Sequence, residues 1–175
     1  MDLKMKKVLL VLSGLILSIG LSQNAIAQKG QTGLGLRLSP DGAGLTGKFF
    51  MDRNLAFEGQ LNAGGVFGGE GESFNAVGLL EYHIPLPDPS WRVFFGGGLH
   101  VGVWDHGNSR FTSEGKYRDG SEGIFGIDGI GGVEYVFKSV PIGLSADFKP
   151  AINLLSEVDF FPHNMFGVSA RFYIR

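Results

Sequence analysis

Four histidines are the residues of this chain best suited to move a proton near neutral pH: His83, His100, His106 and His163. A hydrolytic triad needs such a histidine beside a serine hydroxyl, with an acid to orient it. His106 has Ser109 and Asp105 near it in sequence, and His163 has Ser156 and Glu157. Both sets fall in polar stretches, where such residues are ordinarily solvated, and geometry rather than composition defines a triad. No catalytic residue is therefore assigned. The chain has no cysteine, which excludes a thiolate metal site and a disulfide framework. The stretch from Asp105 to Gly123 is rich in charge. It holds Glu114, Asp119 and Glu122 against Arg110, Lys116 and Arg118, with Phe111 and Tyr117 among them. Its carboxylates lack the spacing of an EF-hand loop, so no metal site is assigned. Such a stretch suits a surface partner, or lipopolysaccharide bridged by divalent cations, although exposed loops are polar by default. The glycine runs Gly96-Gly97-Gly98 and Gly129-Ile130-Gly131-Gly132 are not phosphate loops, because no helix follows to point its N-terminus at an anion. Their place is inside strands, where glycine permits curvature and close backbone approach.

The elements that must carry these residues are announced by composition. Glycine supplies 29 of 175 residues, far above the usual ~7%. Charged residues are 18%, below the usual ~25%. The chain is too apolar to be disordered. A net charge of -2, with no basic run beyond the first residues, argues against nucleic acid as a partner. Lys4, Lys6 and Lys7 precede the apolar run Val8 to Leu21, and Ala25 and Ala27 stand at the -3 and -1 positions of a cut before Gln28. That is the layout of a secretory signal peptide, with an apolar run shorter than the ~20 residues of a spanning helix. Residues 1–27 read as a cleaved signal peptide and 28–175 as one domain.

Beyond residue 27 the period is two. Leu55, Phe57, Gly59, Leu61 and Ala63 alternate with Ala56, Glu58, Gln60 and Asn62, as in a strand between two environments. The pattern recurs in eight segments, with no convincing helical period. The segments are roughly 8 to 14 residues long, which suits tilted strands crossing a bilayer at ~9–11 residues each. Short connections at 51–54, 85–90 and 138–141 alternate with longer ones at 64–73, 105–123 and 155–163. Only the hairpin at Pro40-Asp41-Gly42 is short on the long side. Aromatic residues gather toward the strand ends: Phe49, Phe57, Tyr82, Trp91, Tyr135, Phe137 and Phe172 at the short-turn end, and Trp104, Phe125, Phe160, Phe161 and Phe166 at the other. Two aromatic belts, short turns and long loops are the layout of a transmembrane barrel. An eight-stranded soluble barrel of lipocalin type would place the apolar face inside instead.

The polar face favours the membrane barrel, with a soluble lipocalin-like binder of an apolar ligand as the alternative. It carries Arg37, Lys48, Arg92, Lys149 and Arg171 against Glu58, Glu81, Asp128, Glu134 and Asp147. Five cations against five anions predict mutual pairing in a confined space, since a buried charge needs a partner. With Gln60, Asn62, His83 and His100 they would fill an eight-stranded barrel, whose interior is only wide enough for side chains. The expected architecture is all-β: an eight-stranded antiparallel up-and-down transmembrane β-barrel with a packed polar core and no conducting pore.

The segments Gly126 to Phe137, Pro141 to Pro150 and Phe166 to Arg175 resemble the small outer-membrane β-barrel proteins of Gram-negative bacteria, most closely the short single-barrel proteins of Bacteroidota. The resemblance covers essentially the whole of 28–175. It implies a place in the outer membrane among its lipids and lipopolysaccharide, insertion by the barrel assembly machinery, a monomer, and no cofactor. The final strand of such proteins usually ends on an aromatic residue; here Tyr173 stands two residues before Arg175. Two barrel enzymes of that membrane act on lipid A. The deacylase type pairs a His with a Ser two residues later, and none of the four histidines has one. The acyltransferase type has a helix before the barrel, whereas strand pattern begins here within a few residues of Gln28. The expectation is a non-enzymatic envelope protein, structural or engaged in surface interaction.

Overall fold

The computed structural model describes residues 30–66, 72–105, 110–111, 117–118, 121–155, 159–161 and 165–174. The signal-peptide reading of 1–27 lies outside them. Eight antiparallel strands form the wall: β1 (Thr32–Ser39), β2 (Gly42–Phe50), β3 (Leu55–Gly64), β4 (Glu72–Pro85), β5 (Trp91–Asp105), β6 (Ser121–Val136), β7 (Ile142–Phe148, resumed at Ala151–Asn153) and β8 (Phe166–Ile174). Each pairs with the next, and β8 closes the ring on β1, where Thr32 stands opposite Ile174. There is no helix among the described residues. The eight-stranded closed barrel is thus the fold that the two-residue period predicts.

The register fixes the shape. Ile142 stands opposite Phe172, Phe172 opposite Leu34, and the ladder continues through Gly47, Gly59, Gly78, Leu99 and Ile127. It returns to β7 at Ile152, ten residues beyond its start. With strands about 4.8 Å apart rising about 3.3 Å per residue, that stagger sets a strand tilt of about 40° and a backbone radius of about 8 Å. Strand 7 is interrupted at Lys149-Pro150, because proline has no N–H for the ladder. The Pro150 carbonyl still accepts from Gly129 N at 2.9 Å, so the register with β6 survives.

The sequence underestimates the strands beside the longest loop. β5 runs to Asp105 and β6 starts at Ser121, with a two-residue ladder, Arg110–Phe111 against Tyr117–Arg118, between them. β6 has 16 residues, beyond the 8 to 14 expected. The reason is pairing: two facing strands extend each other for as long as both backbones stay straight, whatever the side chains. The hairpin at Pro40-Asp41 is as tight as expected, with Ser39 opposite Gly42.

The faces come out as the alternation predicts. Leu61 is 47% exposed on the outside, while Gln60 beside it is 2% exposed inside. Leu34, Leu36, Leu45, Phe57, Phe95, Leu99 and Val168 share the outer surface. Tyr82 meets Phe95 at 6.0 Å, and Trp91, Tyr135 and Phe137 follow at 4.9 Å spacings at the short-turn end. At the other end Phe148 meets Phe166 at 5.0 Å. The interior is less uniformly polar than the alternation suggests. Phe50, Ala56, Val136 and Tyr173 form one inward cluster, and Val77, Leu79, Phe94 and Ile130 another.

Candidate functional site: the charged interior

All ten charged residues expected on the polar face are buried inside the barrel. Each arrives there because its strand turns every second residue inward. Glu58 on β3 is the busiest. Its Oε1 accepts from Arg171 Nη2 at 2.6 Å, Thr46 Oγ1 at 2.8 Å and Gln60 Nε2 at 2.8 Å. Its Oε2 lies 3.0 Å from Lys48 Nζ. Lys48 also reaches Glu81 Oε2 at 2.7 Å and sits 4.5 Å from the centre of the Phe94 ring. Glu81 Oε2 in turn meets His83 Nε2 at 3.0 Å. Arg171 spreads its fork wider, donating Nη1 to Ser145 Oγ at 2.8 Å and Nε to Thr46 Oγ1 at 3.1 Å. Glu134 closes the group: it accepts the Tyr173 hydroxyl, and Arg92 Nε and Arg171 Nη1 each stand 3.7 Å away. Lys48, Arg92 and Arg171 thereby balance Glu58, Glu81 and Glu134.

Two smaller groups lie toward the long-loop end. Asp128 takes His100 Nδ1 at 2.7 Å on one oxygen and Lys149 Nζ at 3.0 Å on the other. His100 Nε2 meets Asn153 Oδ1 at 2.8 Å. Arg37 Nη2 reaches Asp147 Oδ1 at 2.5 Å. Every expected cation thus meets an expected anion. Taking such ions out of water costs several kcal/mol each unless Coulomb attraction and hydrogen bonds offset it, which is why so many neutral donors join the pairs.

Apolar residues separate the groups. On β4, Val77 and Leu79 lie between Asn75 and Glu81. On β5, Phe94 lies between Arg92 and His100. On β6, Ile130 lies between Asp128 and Glu134. These four pack together, so an apolar layer lies between the larger network and the His100 group.

The arrangement ties neighbouring strands of the wall together through their side chains. His83 is wedged between Phe50 at 5.0 Å and Phe94 at 5.2 Å, ring to ring. Both nitrogens of His100 face oxygens of Asp128 and Asn153, so neither is poised to take a proton from a nucleophile. Among the described residues no cluster of three His, Asp and Glu side chains is arranged for a metal ion. The loop sets weighed from sequence, His106 with Ser109 and His163 with Ser156 or Glu157, lie outside the described residues except for Asp105 at the end of β5. The same holds for Glu114, Lys116 and Asp119. What sequence reasoning missed is who pairs with whom. Thr46, Ser145, Asn153 and Tyr173 stand on the inward face like the charges, but nothing local marks them as partners of Glu58, Arg171, His100 and Glu134.

At the short-turn end one exposed pair ties two turns together: Lys138 Nζ lies 3.2 Å from Asp88 Oδ1. The Ser90 backbone N–H, with Lys138 beside it, holds the Asp88 carboxyl below its ordinary range.

No protein-family model matches the sequence, and no curated protein matches it. Among solved structures the fold is similar to the crystal structure of the N-terminal β-barrel domain of Pseudomonas aeruginosa OprF. The TM-score is 0.61 at 14% identity, over 83% of this chain and 98% of that one. At that identity the likeness establishes the architecture: this chain folds as a closed, eight-stranded antiparallel barrel of the kind that forms the OprF N-terminal domain.

Proposed function

We propose that the protein is an integral outer-membrane barrel with a non-enzymatic role, as a structural or surface-interacting component of the envelope. One observation carries this reading. The charges are inside and the large apolar side chains are outside, as the contrast between Gln60 and Leu61 shows. An apolar band around a whole molecule far exceeds the few hundred Å² that soluble proteins expose. A bilayer accepts it, because a closed barrel leaves no backbone edge unpaired in lipid. A soluble barrel with an apolar ligand cavity would have the faces reversed. The OprF domain, a barrel from a Gram-negative bacterium, supports the reading. The resemblance to the Bacteroidota single-barrel proteins belongs to the same proposal. So do removal of residues 1–27, insertion by the barrel assembly machinery and a monomeric state.

Outer-membrane fractionation, followed by SDS gels of unheated and boiled extract, tests it. A band in that fraction whose mobility shifts on boiling is the expected result. A periplasmic protein with no shift would overturn the reading. Its N-terminus should be Gln28 by mass spectrometry. The lipid A of a deletion strain should have an unchanged mass; an altered acyl pattern would make the protein an enzyme.

A further inference from the structure

The wall of the barrel is not level. Along a strand tilted by about 40°, each residue climbs about 2.5 Å, and each step across the ladder climbs about 3 Å. By that register β5 ends at Asp105 about 34 Å above the level of Ile142, whereas the tip of the β1–β2 hairpin at Pro40 stands about 21 Å above it. The outward apolar surface follows the wall. It reaches Val103 on β5 at about 29 Å and Phe74 on β4 at about 26 Å, but its last large residue on β1 is Leu38, at about 16 Å. An apolar band about 25 Å tall is what an outer-membrane barrel presents. The β4–β5 side meets that height and the β1–β2 side does not. The short turn that breaks the alternation of loop lengths is the reason.

In a flat bilayer the tip of this hairpin, with the charged Asp41, would be sunk in acyl chains. Bilayers yield to a short apolar surface by thinning, at a small cost per ångström, whereas polar backbone and a carboxylate in hydrocarbon are far more costly. A groove of about 470 Å³ lies at the same place, between Leu38, Pro40, Ala146, Phe166 and Val168. We propose that the outer leaflet dips at the β1–β2 hairpin, so that lipid headgroups cover Pro40 and Asp41 and the headgroup-proximal part of an acyl chain fills the groove. The occupant is lipid because the groove is continuous with the outward apolar surface of β1 and β8. This inference rests on the outer-membrane reading.

The absence of cysteine makes the test direct. Leu38→Cys and Leu99→Cys place single reporters about 16 and 19 Å above Ile142, on the low and the tall wall. Each variant carries a bimane label, in protein reconstituted into phosphatidylcholine vesicles brominated near the headgroup or near the chain end. Ala43→Cys, opposite Leu38 on β2, is a second reporter of the low wall. The expected result is stronger quenching by shallow bromines at 38 and 43, and by deep bromines at 99. The same deep profile at all three positions would overturn the dip. Quenching at 99 with none at 38 and 43 would put another protein chain in the groove instead of lipid. No quenching at any position would overturn the membrane reading itself.

Discussion

Glu58 shows how much rests on one carboxylate in this interior. It answers both Lys48 and Arg171, and all three side chains are sealed from water. Glu58→Gln keeps the shape and removes the charge, leaving two buried cations to share the remaining acids. Breaking a buried pair from one side costs roughly 3–5 kcal/mol. Urea unfolding of the refolded barrel should show a loss of that size, and adding Lys48→Met should recover part of it, because the charge count is then balanced again. Asp88→Asn is the contrast. Its bond to Lys138 is solvent-exposed, and such pairs contribute little. No measurable change is expected at neutral pH. Because the Asp88 pKa is lowered on folding, whatever the pair contributes is present above the ordinary carboxylate range and is lost as pH falls through the lowered value. The outer face makes a separate demand. Leu61→Arg would put a cation into lipid at about 2–4 kcal/mol near the midplane, and Gln60→Arg should be tolerated better, beside Glu58. Equal yields of heat-modifiable protein from the two variants would contradict the assignment of faces. The ten charges could be read from sequence because their alternation is local. Their pairing could not: Arg37 and Asp147 are 110 residues apart, and Arg171 and Glu58 are 113 apart, so only the assembled register brings them together.

At the scale of the strand, glycine decides how closely neighbours approach. A Cβ on Gly98 would stand 1.8 Å from the Gly78 carbonyl oxygen, and on Gly96 2.1 Å from that of Leu80. Backbone cannot yield to such an overlap without opening the β4–β5 ladder. Gly59 points outward, and its added carbon would only touch Phe57, at 4.0 Å. Gly98→Ala should therefore cut the yield of folded, heat-modifiable barrel sharply, and Gly59→Ala should leave it unchanged. The run at 96–98 is legible as strand glycine, but which of the three are indispensable depends on which neighbour they face. The strands themselves were legible because an apolar outer face and a polar interior impose opposite demands on alternate residues. Their ends at Asp105 and Ser121 were not, because there pairing between two backbones continues after the side-chain pattern has faded.

For the molecule as a whole, the filled interior sets a limit on what passes through. The Glu58 network and the Val77–Leu79–Phe94–Ile130 plug lie in series along β4, β5 and β6. In planar bilayers the protein should show no steady ionic conductance; a stable open level would mean that this packing gives way. The stagger of ten residues, which sets the tilt and the uneven rim, is a sum over eight ladders and has no trace in any single stretch of sequence. The ladder between Thr32 and Ile174 has its own consequence. Because the two outermost strands of the chain are partners, and their outer ends meet at the same rim, the ring has no intrinsic beginning. Joining residue 174 to residue 30 by a short linker and cutting instead within 51–54 would preserve every strand neighbour. Such a circular permutant should give the same heat-modifiable barrel, with a different strand arriving last.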